Sequence, residues 1–322
     1  MTSIRATGTV LASLALAATA TLTGCSAPGT GGSAEDAEGV TVLASFYPLQ
    51  YVAQQIGGDL VTVDNLTPPA AEPHDLELSP AQVREIGTAD LVVYLSGFQN
   101  AVDEGVEARA PEHVVDAADA AGLAEHAEET EEEHAEHADE GDQHDHGATD
   151  PHFWLDPSRL AAVGQAVADE LAAADPEHAE EYAAGALRLG ERLDELDQEL
   201  ADGLAACQGA TLVTSHAAFG YLADRYALEQ VGISELDPEV EPSPARLREI
   251  GDLVEERDVK TLYSETLVSP KVTKTLASDL GVETAVLDPL EGLSEEATAA
   301  GADYVSVMRA NLAELEEGLV CE

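Results

Sequence analysis

Basic residues are scarce in this chain: 14 Lys and Arg stand against 64 Asp and Glu, a formal net charge of −50 over 322 residues. So acidic a polypeptide repels nucleic-acid phosphates and anionic lipid headgroups, which excludes charge-driven binding to either. The plain account of the excess is a solvated acidic surface. Cysteine is also nearly absent. Cys25, Cys207 and Cys321 form no CxxC pair, so spacing offers no thiolate zinc site. A His-Glu-x-x-His segment, the zinc-binding helix of many peptidases, is missing. Nor does the start of the chain hold a membrane-spanning run, because residues 10–22 are too few and too rich in Ala and Thr.

What is present there reads as an export leader, residues 1–24. Arg5 supplies a basic region, residues 10–22 an apolar one, and Leu22-Thr-Gly-Cys25 closes it. That ending resembles a bacterial lipobox, which implies lipidation of Cys25. Residues 25–39 are Gly, Ser, Ala and acidic without an apolar period, as in a flexible tether. The remainder is long enough for two domains with their own cores. Cys207 and Cys321, an even pair in an exported chain, are expected to form a disulfide.

Beyond the tether, apolar runs at 40–45, 60–66 and 89–95 alternate with helical patterns at 46–56 and from Ser79-Pro80. Such runs point to strands of a parallel α/β sheet. Asp156-Pro157 opens a helix through about residue 174, and Asp175-Pro176 opens another to about residue 206. The second keeps a stripe of Leu187, Leu193, Leu196, Leu200 and Leu204. At about 1.5 Å per residue it would run roughly 45 Å, the length of a strut between lobes.

The pattern then repeats, with strands expected at 210–215, 259–263 and 284–287. Residues 79–87 (SPAQVREIG) and 243–251 (SPARLREIG) agree at seven of nine positions. Ser45 and Ser215 close equivalent strands, with Tyr51/Tyr221 and Ala53/Ala223 following in register. The expected architecture is two similar parallel-sheet α/β lobes, 40–175 and 207–322, joined by one long rigid helix at 176–206.

Three histidines occupy loops where such lobes bind ligands, beyond the carboxyl ends of strands. His74 lies in Glu72-Pro-His-Asp, His152 in Asp150-Pro-His-Phe-Trp-Leu-Asp156, and His216 in Thr214-Ser-His-Ala-Ala-Phe-Gly. Two come from the first half and one from the second, so both lobes would close on one ion. Three imidazoles and one carboxylate suit tetrahedral Zn²⁺. Candidates for the fourth position are Glu291, Glu265, Glu235, Glu72 or a water. Residues 125–146 hold five more histidines (His126, His134, His137, His144 and His146) among 11 acids, with no apolar side chain larger than Ala. That composition implies a disordered loop with weak, multiple metal sites.

These phrases resemble the zinc-uptake (ZnuA-like) solute-binding lipoproteins of ABC importers. The resemblance spans residues 40–322 and includes Phe46-Tyr-Pro-Leu, Leu91-Val-Val-Tyr, Glu241-Pro-Ser-Pro and Leu287-Asp-Pro-Leu-Glu-Gly-Leu. It implies His74, His152 and His216 as ligands, Glu291 as the favoured fourth, and zinc as cargo delivered to a membrane permease. Manganese, which related members carry, prefers more oxygen donors than this set offers. The chain is expected to be a monomer and not an enzyme. Two other classes fit parts of the pattern: a secreted zinc hydrolase, since three histidines with an open position activate water, and a surface adhesin.

Overall fold

Short β-branched runs become the centres of two parallel sheets. In a computed structural model, residues 39–123 and 149–321 are described. The leader, most of the tether, Cys25 and the His-rich run with His126, His134, His137, His144 and His146 lie outside them. The first half runs β1 (Val40–Ala44), α1 (Tyr47–Gly57), β2 (Val61–Asn65), α2 (Pro80–Ile86), β3 (Leu91–Tyr94), α3 (Asn100–Arg109), β4 (Val114–Asp116) and α4 (Ala117–Ala121). Helices α5 (Pro157–Ala174) and α6 (Ala179–Leu204) follow. The second half runs β5 (Thr211–Thr214), α7 (Gly220–Tyr226), β6 (Glu229–Gly232), α8 (Pro244–Glu256), β7 (Thr261–Ser264), α9 (Lys271–Leu280), β8 (Glu283–Val286), α10 (Glu295–Ala300) and α11 (Tyr304–Gly318).

Strand order is the same in both sheets, β2-β1-β3-β4 and β6-β5-β7-β8, and every pairing is parallel. The central strands (β1, β3, β5 and β7) are mostly buried, whereas the edge strand β2 alternates half-buried and exposed residues. All loops at the carboxyl ends of one sheet therefore emerge on one side, where a parallel sheet presents its ligand-binding edge.

The repeated nonapeptide occupies equivalent places, opening α2 after β2 and α8 after β6. Ser79 accepts the backbone N–H of Gln82, and Ser243 that of Arg246, each with Pro in the first helical turn. Ile86 and Ile250 are the buried residues shared by the two copies.

The long helix is shorter than the expected 176–206 span. Pro176–His178 forms a 3₁₀ turn, with Asp175 accepting from Tyr182 at 2.9 Å, and α6 proper has 26 residues. That is about 39 Å of helix. Its buried stripe is Tyr182, Gly185, Ala186, Leu189, Leu193, Leu196, Leu200 and Leu204. Leu187 is 68% exposed, off the phase that Leu189 keeps. Gly185 is required by contact, because a Cβ there would lie 2.3 Å from the Ile56 carbonyl oxygen. One buried apolar cluster runs from Val42 in β1 through the α6 leucines to Tyr263 in β7. Cys207, in the 3₁₀ turn after α6, is disulfide-bonded to Cys321, 114 residues later. Among the described residues no helix is long and apolar enough to cross a membrane.

Candidate metal centre

His74 hangs from the loop after β2. Its backbone N–H donates to Glu72 Oε1 at 2.9 Å, and its ring meets the edge of Phe98 at 4.8 Å between centroids. Buried Gln99 steadies the loop, donating to Thr67 Oγ1 (3.0 Å) and the Pro73 carbonyl (3.2 Å). Thr67 in turn donates to the Ser45 carbonyl at 2.7 Å.

His152 is fixed from both its backbone and its ring. Asp150 Oδ1 accepts the His152 backbone N–H at 2.9 Å and pairs with Nδ1 at 2.8 Å. The Asp150 carbonyl accepts from Tyr221 of α7 at 3.0 Å. Gly220 leaves room for the carboxylate, since a Cβ there would lie 2.6 Å from Asp150 Oδ2. The Asp-Pro-His phrase of the first half is thereby seated on the second.

His216 follows β5 directly. Glu265, the residue after β7, accepts its backbone N–H through Oε1 at 2.9 Å, and Glu265 Oε2 pairs with Nδ1. Both side chains are buried. The last member, Glu291, lies in the loop after β8. Trp154 Nε1 donates to the Pro289 carbonyl at 2.7 Å, while Asn311 bonds both backbone groups of Asp288 at 2.9 and 2.7 Å. Leu290, immediately before Glu291, has φ of +57°, a left-handed conformation that a branched side chain rarely takes. Such strain persists only where surrounding contacts enforce it.

The four converge. His74, His152 and His216 approach Glu291 Oε1 with their Nε2 atoms at 3.1, 3.2 and 3.3 Å, and the Nε2 atoms of His152 and His216 are 3.4 Å apart. All four ligand atoms lie within 4.8 Å of one another. Four donors at a zinc bond length of about 2.0–2.1 Å would be separated by tetrahedral edges of about 3.3 Å. Four of the six separations, at 3.1–3.4 Å, match that edge, and all six stay within 4.8 Å. Of the other carboxylates considered, Glu265 stands behind His216, Glu72 engages the His74 backbone, and Glu235 is exposed. Asp150 and Glu265 are orienting residues that a search for ligands undervalues. Their signals are Asp150 two residues before His152 and Glu265 directly after a strand.

Electrostatics agree with a cation site. Burial opposes charge on His216, yet Glu265 and Glu291 outweigh it and push its pKa up to about 10. His152 is raised in the same way, burial being outweighed by Asp150 and Glu291. Burial would raise Glu291, but hydrogen bonds from the three histidines hold it well below the usual carboxylate range. A cluster of this kind exchanges protons for a metal cation.

The family model for the zinc-uptake complex component A, periplasmic, matches residues 42–318. The zinc-binding lipoprotein AdcA of Streptococcus pneumoniae (strain ATCC BAA-255 / R6) is 36% identical over 284 residues, covering 86% of this chain. This chain spans 55% of that protein's length. The high-affinity zinc uptake system protein ZnuA of Bacillus subtilis (strain 168) is 36% identical over 299 residues, 92% of this chain and 93% of that protein. Among solved structures, the Zn(II)-bound ZnuA-like domain of Streptococcus pneumoniae AdcA superposes with a TM-score of 0.70 at 33% identity, covering 87% of this chain and 98% of that one. The matched span contains all four converging side chains and both sheets but for the first two residues of β1, and the chain belongs to the zinc-uptake complex component A family.

Proposed function

We propose that this chain is the extracytoplasmic zinc receptor of an ABC importer. It binds Zn²⁺ through His74, His152, His216 and Glu291, docks on a membrane permease and releases the ion there. The observation that carries this is the meeting of three imidazole Nε2 atoms on one buried carboxylate oxygen at 3.1–3.3 Å. The zinc-uptake relatives support the same cargo. Manganese would call for more oxygen donors than one carboxylate supplies. Hydrolysis is disfavoured as well: a catalytic zinc keeps an open position, whereas Glu291 completes the shell. Asp150 and Glu265 are engaged by His152 and His216.

The same proposal includes the parts outside the described residues. Cys25 carries a lipid that anchors a monomeric receptor to the outer face of the cytoplasmic membrane. Residues 125–146 bind further ions weakly. Lobes 40–175 and 207–322, joined by the helical strut, each contribute two ligands.

Calorimetric titration of the chelator-stripped protein should show one tight zinc site. His216→Ala should abolish it, and deletion of 125–146 should remove only weaker binding. Tight stoichiometric binding that survives His216→Ala and His152→Ala would overturn the assignment. Native mass spectrometry with competing zinc and manganese should show zinc retained.

A further inference from the structure

Neighbouring side chains pack against the three imidazoles, and of these only His74 keeps an exposed edge, at 11%. The outer nitrogens of His152 and His216 face Asp150 and Glu265, Phe98 flanks His74 and His152, and Trp154 lies 5.2 Å from the His152 ring. Glu291 differs. It lines a cavity of about 480 Å³ between α1, the end of β2 and the loop leading to α10. Tyr47, Gln54, Asn65, Thr67, Asp64 and Thr298 contribute to the walls, and no Lys or Arg does. Asp303 and Gln55, at its edge, are held by Arg192 at 2.5 and 3.2 Å.

We propose that this cavity is the passage through which hydrated zinc reaches and leaves the centre, with Glu291 as the first ligand it meets. The proposal rests on the zinc-receptor reading and adds a route to it. Size permits the passage: six waters of hydration at about 30 Å³ each need roughly 180 Å³, well under the room available. Chemistry permits it too. Hydroxyl, carboxamide and carboxylate oxygens can replace those waters one at a time, and the cation nearest the wall, Arg192, is paired with Asp303. Glu291 stands at the boundary, a member of the cavity wall whose Oε1 also touches all three histidines.

A passage changes rates without changing end states, and this supplies the test. Thr298→Trp and Gln54→Trp, both at exposed helical positions, narrow the cavity without touching a ligand. Stopped-flow mixing with zinc and a fluorescent zinc chelator should show association and dissociation slowed together, about tenfold, at an unchanged Kd. Thr298→Ala should bind and release at least as fast as the parent protein. Parent rates in both Trp variants would send the ion past the exposed edge of His74 instead and overturn the passage alone. A weakened Kd at an unchanged association rate would overturn it as well. A parent protein that binds no zinc would remove the receptor reading itself.

Discussion

Glu265 grips His216 twice, accepting the backbone N–H through Oε1 at 2.9 Å while Oε2 engages the ring at Nδ1. A carboxylate behind a metal-binding imidazole sets its tautomer and strengthens it as a donor. Glu265→Gln preserves size but removes the charge. Its zinc affinity should fall about 10–100-fold with the fold intact. Competition titration against a chelator, with circular dichroism as the control, measures this; parent affinity in the variant would refute the role.

Gly220 and Asp150 should behave as one unit. A methyl at position 220 would lie 2.6 Å from Asp150 Oδ2, so Gly220→Ala must displace the carboxylate that orients His152. Gly220→Ala and Asp150→Asn should each weaken zinc binding, and the double variant should lose less than the sum of the two. Coupling of this kind is expected of residues in contact. Strict additivity in the double-mutant cycle would show that Gly220 acts elsewhere.

Trp154→Phe tests the strap on the Glu291 loop. It removes the donor to the Pro289 carbonyl, a buried bond of 2.7 Å. An acceptor left buried and unpaired costs about 1–3 kcal/mol, and denaturant unfolding should report a loss of that order. Zinc should also leave faster, since the loop carrying Glu291 is less constrained. A parent dissociation rate would separate the strap from the site.

His216 predicts opposite pH trends for the metal-free fold and for zinc affinity. Burial disfavours its charge, but Glu265 and Glu291 raise the folded pKa to about 10, above the unfolded value near 6.5. The folded state therefore holds the proton more tightly. The stability gained is fully present below about pH 6.5 and is lost as pH rises toward 10. Metal-free melting temperature should decline across that window, more steeply than in His216→Gln, while zinc affinity rises as the competing proton leaves. Parallel melting curves for the two proteins would dispose of this linkage.

How much of this was legible in the chain depends on how local each signal is. The three histidines were legible because short phrases bind them to strand ends, and Glu291 entered through a motif of the family. The central strands announced themselves as apolar runs. Edge strands β4 (Val114–Asp116) and β6 (Glu229–Gly232) escaped, being three and four residues long and partly polar. Leu187 joins the leucine stripe by spacing yet lies off the buried face, because an approximate leucine spacing does not resolve one helical phase from the next, as the packing of Gly185 on Ile56 does. Glu265 is a candidate ligand by residue type and by its place after a strand. Its contact with His216 crosses 49 residues, and no local pattern separates a ligand from the residue behind it. The Tyr304 bond to the Trp154 carbonyl, 150 residues away, was equally invisible.

The matched strand orders of the two halves decide where a side chain can be offered, and leave open what is offered there. His216 follows Ser215 at the end of β5; its counterpart after β1 is Phe46, which follows Ser45. Phe46 packs edge-on against Phe98 at 5.1 Å and Trp154 at 4.9 Å, the two rings that flank His152. One repeated turn thus holds an imidazole in its second copy and backs an apolar wall in its first. Ligation and exclusion of water are the same loop used twice, and a histidine placed at 46 would trade that wall away.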